Sequence, residues 1–110
     1  EVAEAHRIIE RSLAGPLTLP AVAQAVGLSQ NHLTRLFREA TGRTVAAHIR
    51  HRRAARARHL LEHTTLPIKV IAAEVGLTDL QHFNKMIRAE HGRSPTRIRE
   101  RSMQAGGGAA

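Results

Sequence analysis

Asn31, Thr34, Arg35 and Arg38 stand at i, i+3, i+4 and i+7, the spacing that lines side chains along one face of an α-helix. Gln81, Asn84, Lys85 and Arg88 repeat that spacing 50 residues later. Each is a hydrogen-bonding or cationic side chain, and no acid interrupts either stripe. The chemistry open to such a set is recognition. Asn and Gln amides pair with an adenine edge, and Arg and Lys pair with guanine or with phosphate. As plain solvated helix faces either stripe alone would be ordinary; two in matching register are harder to explain that way.

Other chemistries are poorly served. The chain has no Cys, hence no thiolate ligand, no Cys nucleophile and no disulfide, which fits a reducing compartment. His59 and His63 are i, i+4, and His48 and His51 are i, i+3, but few carboxylates accompany them and arginines crowd them. No metal site is expected. No Ser-His-Asp order, paired carboxylates or Gly-rich phosphate loop stands out, so neither an enzyme nor a cofactor is expected.

The elements that must carry the stripes can be read from apolar spacing. Val2, Ala5, Ile8, Ile9 and Leu13 suggest a first helix, broken at Gly15-Pro16. Leu19, Val22, Ala23 and Val26 follow an N-cap at Thr18, and Gly27 ends that helix. Ser29 caps a third, with Leu33, Leu36, Phe37 and Ala40 inward, ended by Gly42. Thr44 opens a long helix to about His63, with Val45, Ile49, Ala57, Leu60 and Leu61 inward. It carries Arg50, Arg52, Arg53, Arg56 and Arg58; some of these should meet phosphates, while Arg53, close to the inward stripe, reads as structural. Ile68, Ile71, Ala72 and Val75 form a short helix ended by Gly76. Thr78 caps the next, with Phe83, Met86 and Ile87 inward, ended by Gly92. Ser94-Pro95 opens a last helix to about Met103. No strand signal appears.

The chain therefore repeats itself. Ala23, Val26, Gly27 and Leu28 recur at an offset of 49 as Ala72, Val75, Gly76 and Leu77. After one extra residue in the second turn, His32, Arg38, Gly42 and Arg43 recur at an offset of 50 as His82, Arg88, Gly92 and Arg93. Each copy is a short helix, a tight turn and a second helix: a helix-turn-helix, whose second helix enters a DNA major groove. The expected fold is all-α, about seven helices, two helix-turn-helix subdomains joined by a long linker helix. Residues 1–16 form an N-terminal helix and link to a missing upstream domain, as the start at Glu1 rather than Met suggests. Residues 17–43 form the first helix-turn-helix, 44–64 the linker helix, 65–103 the second helix-turn-helix and 104–110 a disordered tail.

Charge agrees with this chemistry. Seventeen Lys and Arg against nine Asp and Glu leave a net charge of +8, which calls for an acidic partner. No segment reads as membrane-spanning or as a signal peptide. Base reading is assigned to Asn31, Thr34, Arg35, Gln81, Asn84 and Lys85. Ser29, Gln30, His32, Arg38, Arg43, Thr78, Asp79, Leu80, His82, Arg88 and Arg93 are further DNA or phosphate candidates. Asp79 stands where it caps a helix or accepts from a cytosine amine. The alternatives are DNA binding without sequence preference, and a basic module for an acidic protein or anionic membrane. Asn31, Gln81 and Asn84 favour base reading, since Arg and Lys alone would serve the others.

From about Leu17 to Arg101 the sequence resembles the DNA-binding domain of the AraC/XylS family of bacterial transcription regulators. "LTLPAVAQAVGLSQNHLTRLFREATG" is similar to its first helix-turn-helix, and "HIRHRRAARARHLLEHTTLPIKVIAAEVGLTDLQHFNKMIRAEHGRSP" to its linker helix and second module. The resemblance implies two recognition helices in successive major-groove segments about 34 Å, or roughly 10 bp, apart. It places contacts at Asn31, Thr34 and Arg35, and at Leu80, Gln81, Asn84 and Lys85. It further implies transcription activation, which needs RNA polymerase contacts, with effector sensing and dimerisation in the missing upstream part, and a cytoplasmic, nucleoid-associated location. The fragment itself is expected to be a monomer, because nothing in it looks like a self-pairing seam. His48 and Ile98 stand where the family has Tyr, Leu77 replaces a Phe, and Met86-Ile87 replaces a more aromatic pair. These thin the aromatic core but leave the reading face alone. At Leu80 the resemblance implies a thymine methyl contact or none.

Overall fold

A computed structural model describes the backbone of residues 1–109 and the side chains of residues 1–105. Among the described residues there are seven α-helices and no strand. The chain divides into two compact units, Glu1–Arg52 and the part beginning at Arg53, each with its own core.

The first unit holds α1 (Val2–Arg11), α2 (Leu19–Val26), α3 (Gln30–Thr41) and the first part of α4 (Val45–His63). Thr18 Oγ1 accepts from the Ala21 amide at 3.2 Å and starts α2; Pro20 lies in the first turn, where its missing N–H is not needed. Gly27 ends α2 at φ +73°, a left-handed conformation that a Cβ resists, and the turn it makes releases the chain into α3. Ser29 Oγ accepts from the His32 amide at 3.1 Å, and Thr44 Oγ1 accepts from the Ala47 amide at 3.1 Å. The core joins Ala5 and Ile9 of α1, Val22 and Ala23 of α2, Leu33 and Phe37 of α3, and Val45 and Ile49 of α4. α1 is thus part of this core: Ala5 and Ile9 are fully buried. It stops at Arg11, short of the expected Leu13, because Ser12 leaves helical geometry ahead of Gly15-Pro16.

Two expectations fail locally. Ala40 is exposed, not inward. It shares a face with Phe37 but lies in the last turn, beyond the last buried side chain of α3, and one methyl offers little area to bury. Likewise Thr78 does not cap its helix; Asp79 does, accepting at Oδ1 from the amides of Gln81 (2.9 Å) and His82 (3.4 Å). The extra residue in this turn moves the cap by one position, and a carboxylate suits the positive end of the helix better than a hydroxyl.

The second unit holds the rest of α4, α5 (Ile68–Glu74), α6 (Leu80–His91) and α7 (Pro95–Ala109). Its core joins Ala54, Ala57 and Leu61 of α4, Ile71 and Ala72 of α5, Phe83, Met86 and Ile87 of α6, and Ile98 of α7. Polar ties fix the register. His91 Nε2 donates to the Ala54 carbonyl at 2.9 Å and anchors the last turn of α6 to α4. Arg99 donates to the Leu61 (3.3 Å) and Thr64 (3.1 Å) carbonyls, and Ser102 Oγ to that of Glu62 (3.0 Å). These close off carbonyls at the C-terminal end of α4 that lack a helical partner. Ser94 Oγ caps α7 through the Arg97 amide at 3.2 Å. The backbone of α7 runs to Ala109, past the end expected near Met103 and into the segment expected to be disordered. No proline follows to stop it, although each glycine costs about 1 kcal/mol of helix propensity. Residue 110 lies outside the described residues.

Candidate nucleic-acid interface

In the first unit, α3 is held by its inner face. Leu33 and Phe37 are fully buried, and Leu36 is half-buried. The Phe37 ring stacks on His6 of α1, with centroids 5.1 Å apart, and meets the edge of His48 of α4 at 5.2 Å. His6 and His48 themselves approach to 4.7 Å. Burial, followed by the nearby His6, Arg52 and Arg43, pulls the His48 imidazole below its ordinary value, with Glu10 opposing. Glu10 is also bound by Arg52 Nε, clamping α1 to α4 within this unit. With one face so held, the opposite face is turned to solvent. Asn31, Arg35 and Arg38 are exposed and Thr34 is half-buried.

In the second unit, α6 is held the same way. Phe83 and Ile87 are fully buried and Met86 nearly so. Gln81, Asn84, Lys85 and Arg88 are all exposed on the other side. Each expected base-reading residue is therefore on the free face of its helix. The second-rank candidates separate. Ser29 and Asp79 are engaged as caps. Gln30, Arg43, Thr78, Leu80, His82 and Arg93 are exposed, while His32 is half-buried.

Electrostatics sharpens the picture. Among the described residues, Arg35, Arg38, Lys85 and Arg88 have no ion-pair partner. Their charge stays available to an outside anion. Arg52 and Arg58 of α4 are instead satisfied within the protein, by Glu10 and by Glu62 at 3.2 Å. Arg53 is half-buried, and burial lowers the pKa of its guanidinium from the ordinary value. Among the described residues no three His, Cys, Asp or Glu come together as metal ligands. His48 packs in the ring cluster with His6 and Phe37. Among the described residues no helix is long and apolar enough to cross a membrane. The sequence did not reveal His91 and Arg99 as anchors; a His in a last turn and an Arg one turn after Ser94-Pro95 were the only signals.

Residues 22–101 match the sequence profile of a helix-turn-helix domain family. Regulatory protein SoxS of Salmonella typhimurium is 36% identical over 93 residues, covering 84% of this chain and 87% of SoxS. A Chromobacterium violaceum transcriptional regulator, described as an AraC-type DNA-binding domain-containing protein, has the same fold. Its TM-score is 0.86 at 29% identity, over 94% of this chain and 92% of that one. The chain belongs to the AraC/XylS family. Membership explains why the helix-turn-helix occurs twice and sets an enzymatic role aside. The HTH-type transcriptional activator RhaR of Klebsiella pneumoniae, another AraC/XylS relative, is 35% identical over 94 residues. That match covers 86% of this chain but 34% of RhaR, so the chain spans about a third of that relative's length.

Proposed function

We propose that this AraC/XylS chain binds a specific double-stranded DNA site as the reading part of a bacterial transcription regulator, with α3 and α6 as its two recognition helices. The observation that carries this reading is the pair of register-matched polar stripes, exposed and free of internal ion pairs. Asn31, Thr34 and Arg35 on α3, and Gln81, Asn84 and Lys85 on α6, read base edges. Arg38, Arg43, Arg88 and Arg93 neutralise phosphates and make affinity salt-dependent. Such a protein works in the bacterial cytoplasm, at the nucleoid.

Activation is the regulatory sign this reading favours, by kinship with RhaR, and it brings contacts with RNA polymerase. Effector sensing and dimerisation fall to an upstream part, and the residues described here act as a monomer, since no self-pairing seam marks them. Sequence selection from a random duplex library at near-physiological salt tests the core of the proposal. Two preferred blocks about 10 bp apart are the expected result. A single block would leave one helix gripping backbone alone. No enrichment, with binding lost as salt rises, would overturn sequence-specific reading.

A further inference from the structure

We infer that Leu80 reads the 5-methyl group of a thymine, so that the second block of the site contains one thymine selected by an apolar contact. The inference rests on the assignment of α6 as a recognition helix.

Leu66, Val70, Leu80 and Met103 are the exposed large apolar side chains among the described residues. Leu80 alone of these lies on α3 or α6. It is the first residue of α6 and is 41% exposed, whereas Phe83, Met86 and Ile87 of the same helix are buried. It stands one turn before Asn84, at the boundary between the exposed stripe and the buried row of Phe83 and Ile87, and its exposure puts it at the edge of the reading face. The Asp79 cap holds the Gln81 and His82 amides, which keeps the chain helical from Leu80 onward. Leu80 is thus placed by the fold and has no core to enter.

The N-terminal end of a recognition helix is the end that meets base edges. An isobutyl group there can neither donate nor accept. Set against a base amine, a base carbonyl or a phosphate, it would strip water from a polar group and return nothing. The thymine methyl is the apolar feature of the major groove, and it is the group this side chain can cover favourably. The equivalent position of α3 is Gln30, also exposed. The two helices therefore differ in kind at this position, an amide in one and a hydrocarbon in the other. With Gln81 and Asn84 directed to adenine, the block read by α6 should be rich in A·T pairs.

The test uses the 110-residue chain and its selected site. Each thymine of the second block is replaced in turn by deoxyuridine, which removes the methyl and leaves the pairing edge intact. Covering about one methyl, at ~0.8 kcal/mol per buried carbon, predicts roughly fourfold weaker binding at one thymine and no change at the others. Leu80→Ala should bind the thymine and deoxyuridine forms equally, with the thermal midpoint unchanged. If no deoxyuridine weakens binding, or if L80A keeps the difference, the inference is overturned. The DNA-reading assignment survives that result if Gln81→Ala and Asn84→Ala relax the second block. If those variants leave the second block untouched, α6 does not read bases and both statements fall.

Discussion

Replacing Asp79 by Ala removes an oxygen that accepts from two amides in the first turn of α6, at 2.9 and 3.4 Å. Loss of an N-cap acceptor costs about 1 kcal/mol. The longer bond is beyond good N–H···O geometry and adds little. The lost charge at the helix start adds roughly 0.3–1 kcal/mol at an exposed site. Because the turn is exposed, water takes over the freed amides and no buried-donor penalty enters. The sum is about 1.3–2 kcal/mol, or roughly 5–10 °C of thermal midpoint for a chain of this size. Asp79→Asn keeps an acceptor of equal capping quality and should lose less than half of that. Thr78→Ala, at the exposed neighbour, should stay within about 0.5 kcal/mol. Thermal and urea unfolding of the three variants in one buffer measures this. Base selection by D79N supplies a second arm: a carboxylate that accepted from cytosine would lose discrimination at one C·G pair, whereas a cap leaves the preferred site unchanged. A T78A variant less stable than D79A, or a D79N variant as damaged as D79A, would refute the reasoning.

Arg35→Ala should cost on the order of 1–3 kcal/mol and relax one base position, measured by titration against single-base variants of the selected site; uniform weakening would make Arg35 a phosphate contact. Phe83→Ala empties a fully buried position under α6 and should destabilise by about 3–5 kcal/mol in urea unfolding, while Lys85→Ala, exposed on the other face, should leave stability unchanged. His48 gives stability a pH dependence. Its folded-state pKa lies below the ordinary 6.5, first because of burial, then because of His6 on α1 and Arg52 and Arg43 on either side, with Glu10 opposing. Below 6.5 the unfolded chain therefore takes up the proton first, and stability falls with pH until the lowered folded value is passed. Thermal midpoints measured downward from neutrality should show this loss, and His48→Phe should flatten it; an unchanged slope would remove His48 as the cause.

Much of this was legible in the sequence because it is local. Thr18, Ser29, Thr44 and Ser94 cap their helices as read, since a cap depends on residues two or three apart. The reading stripes were legible for the same reason: a face is fixed by spacing once Leu33, Phe37, Phe83 and Ile87 have declared the inside. The errors lie where one residue of register or the extent of the core decides. Thr78 and Asp79 are both good caps, and spacing alone does not rank neighbours. Ala40 lies on the right face but past the end of the core. Ala54, fully buried, was hidden by its size and by the arginines around it. The ring cluster joins His6, Phe37 and His48 across three helices, and no local pattern announces a contact made only when those helices pack. The role of α1 was understated for the same reason.

The side chains of the two stripes carry almost none of the weight of the fold. Arg35, Arg38, Lys85 and Arg88 form no internal ion pair among the described residues, and the apolar contacts that hold α3 and α6 lie on the opposite faces. Substitutions at such positions typically move stability by less than about 0.5 kcal/mol. The address that this protein recognises can thus be rewritten one letter at a time while the scaffold stays intact. Because each unit has its own core, the two halves of that address can also diverge separately. A duplicated gene of this design can acquire a new site through a chain of folded intermediates, with only the cap positions Ser29 and Asp79 tying text to scaffold.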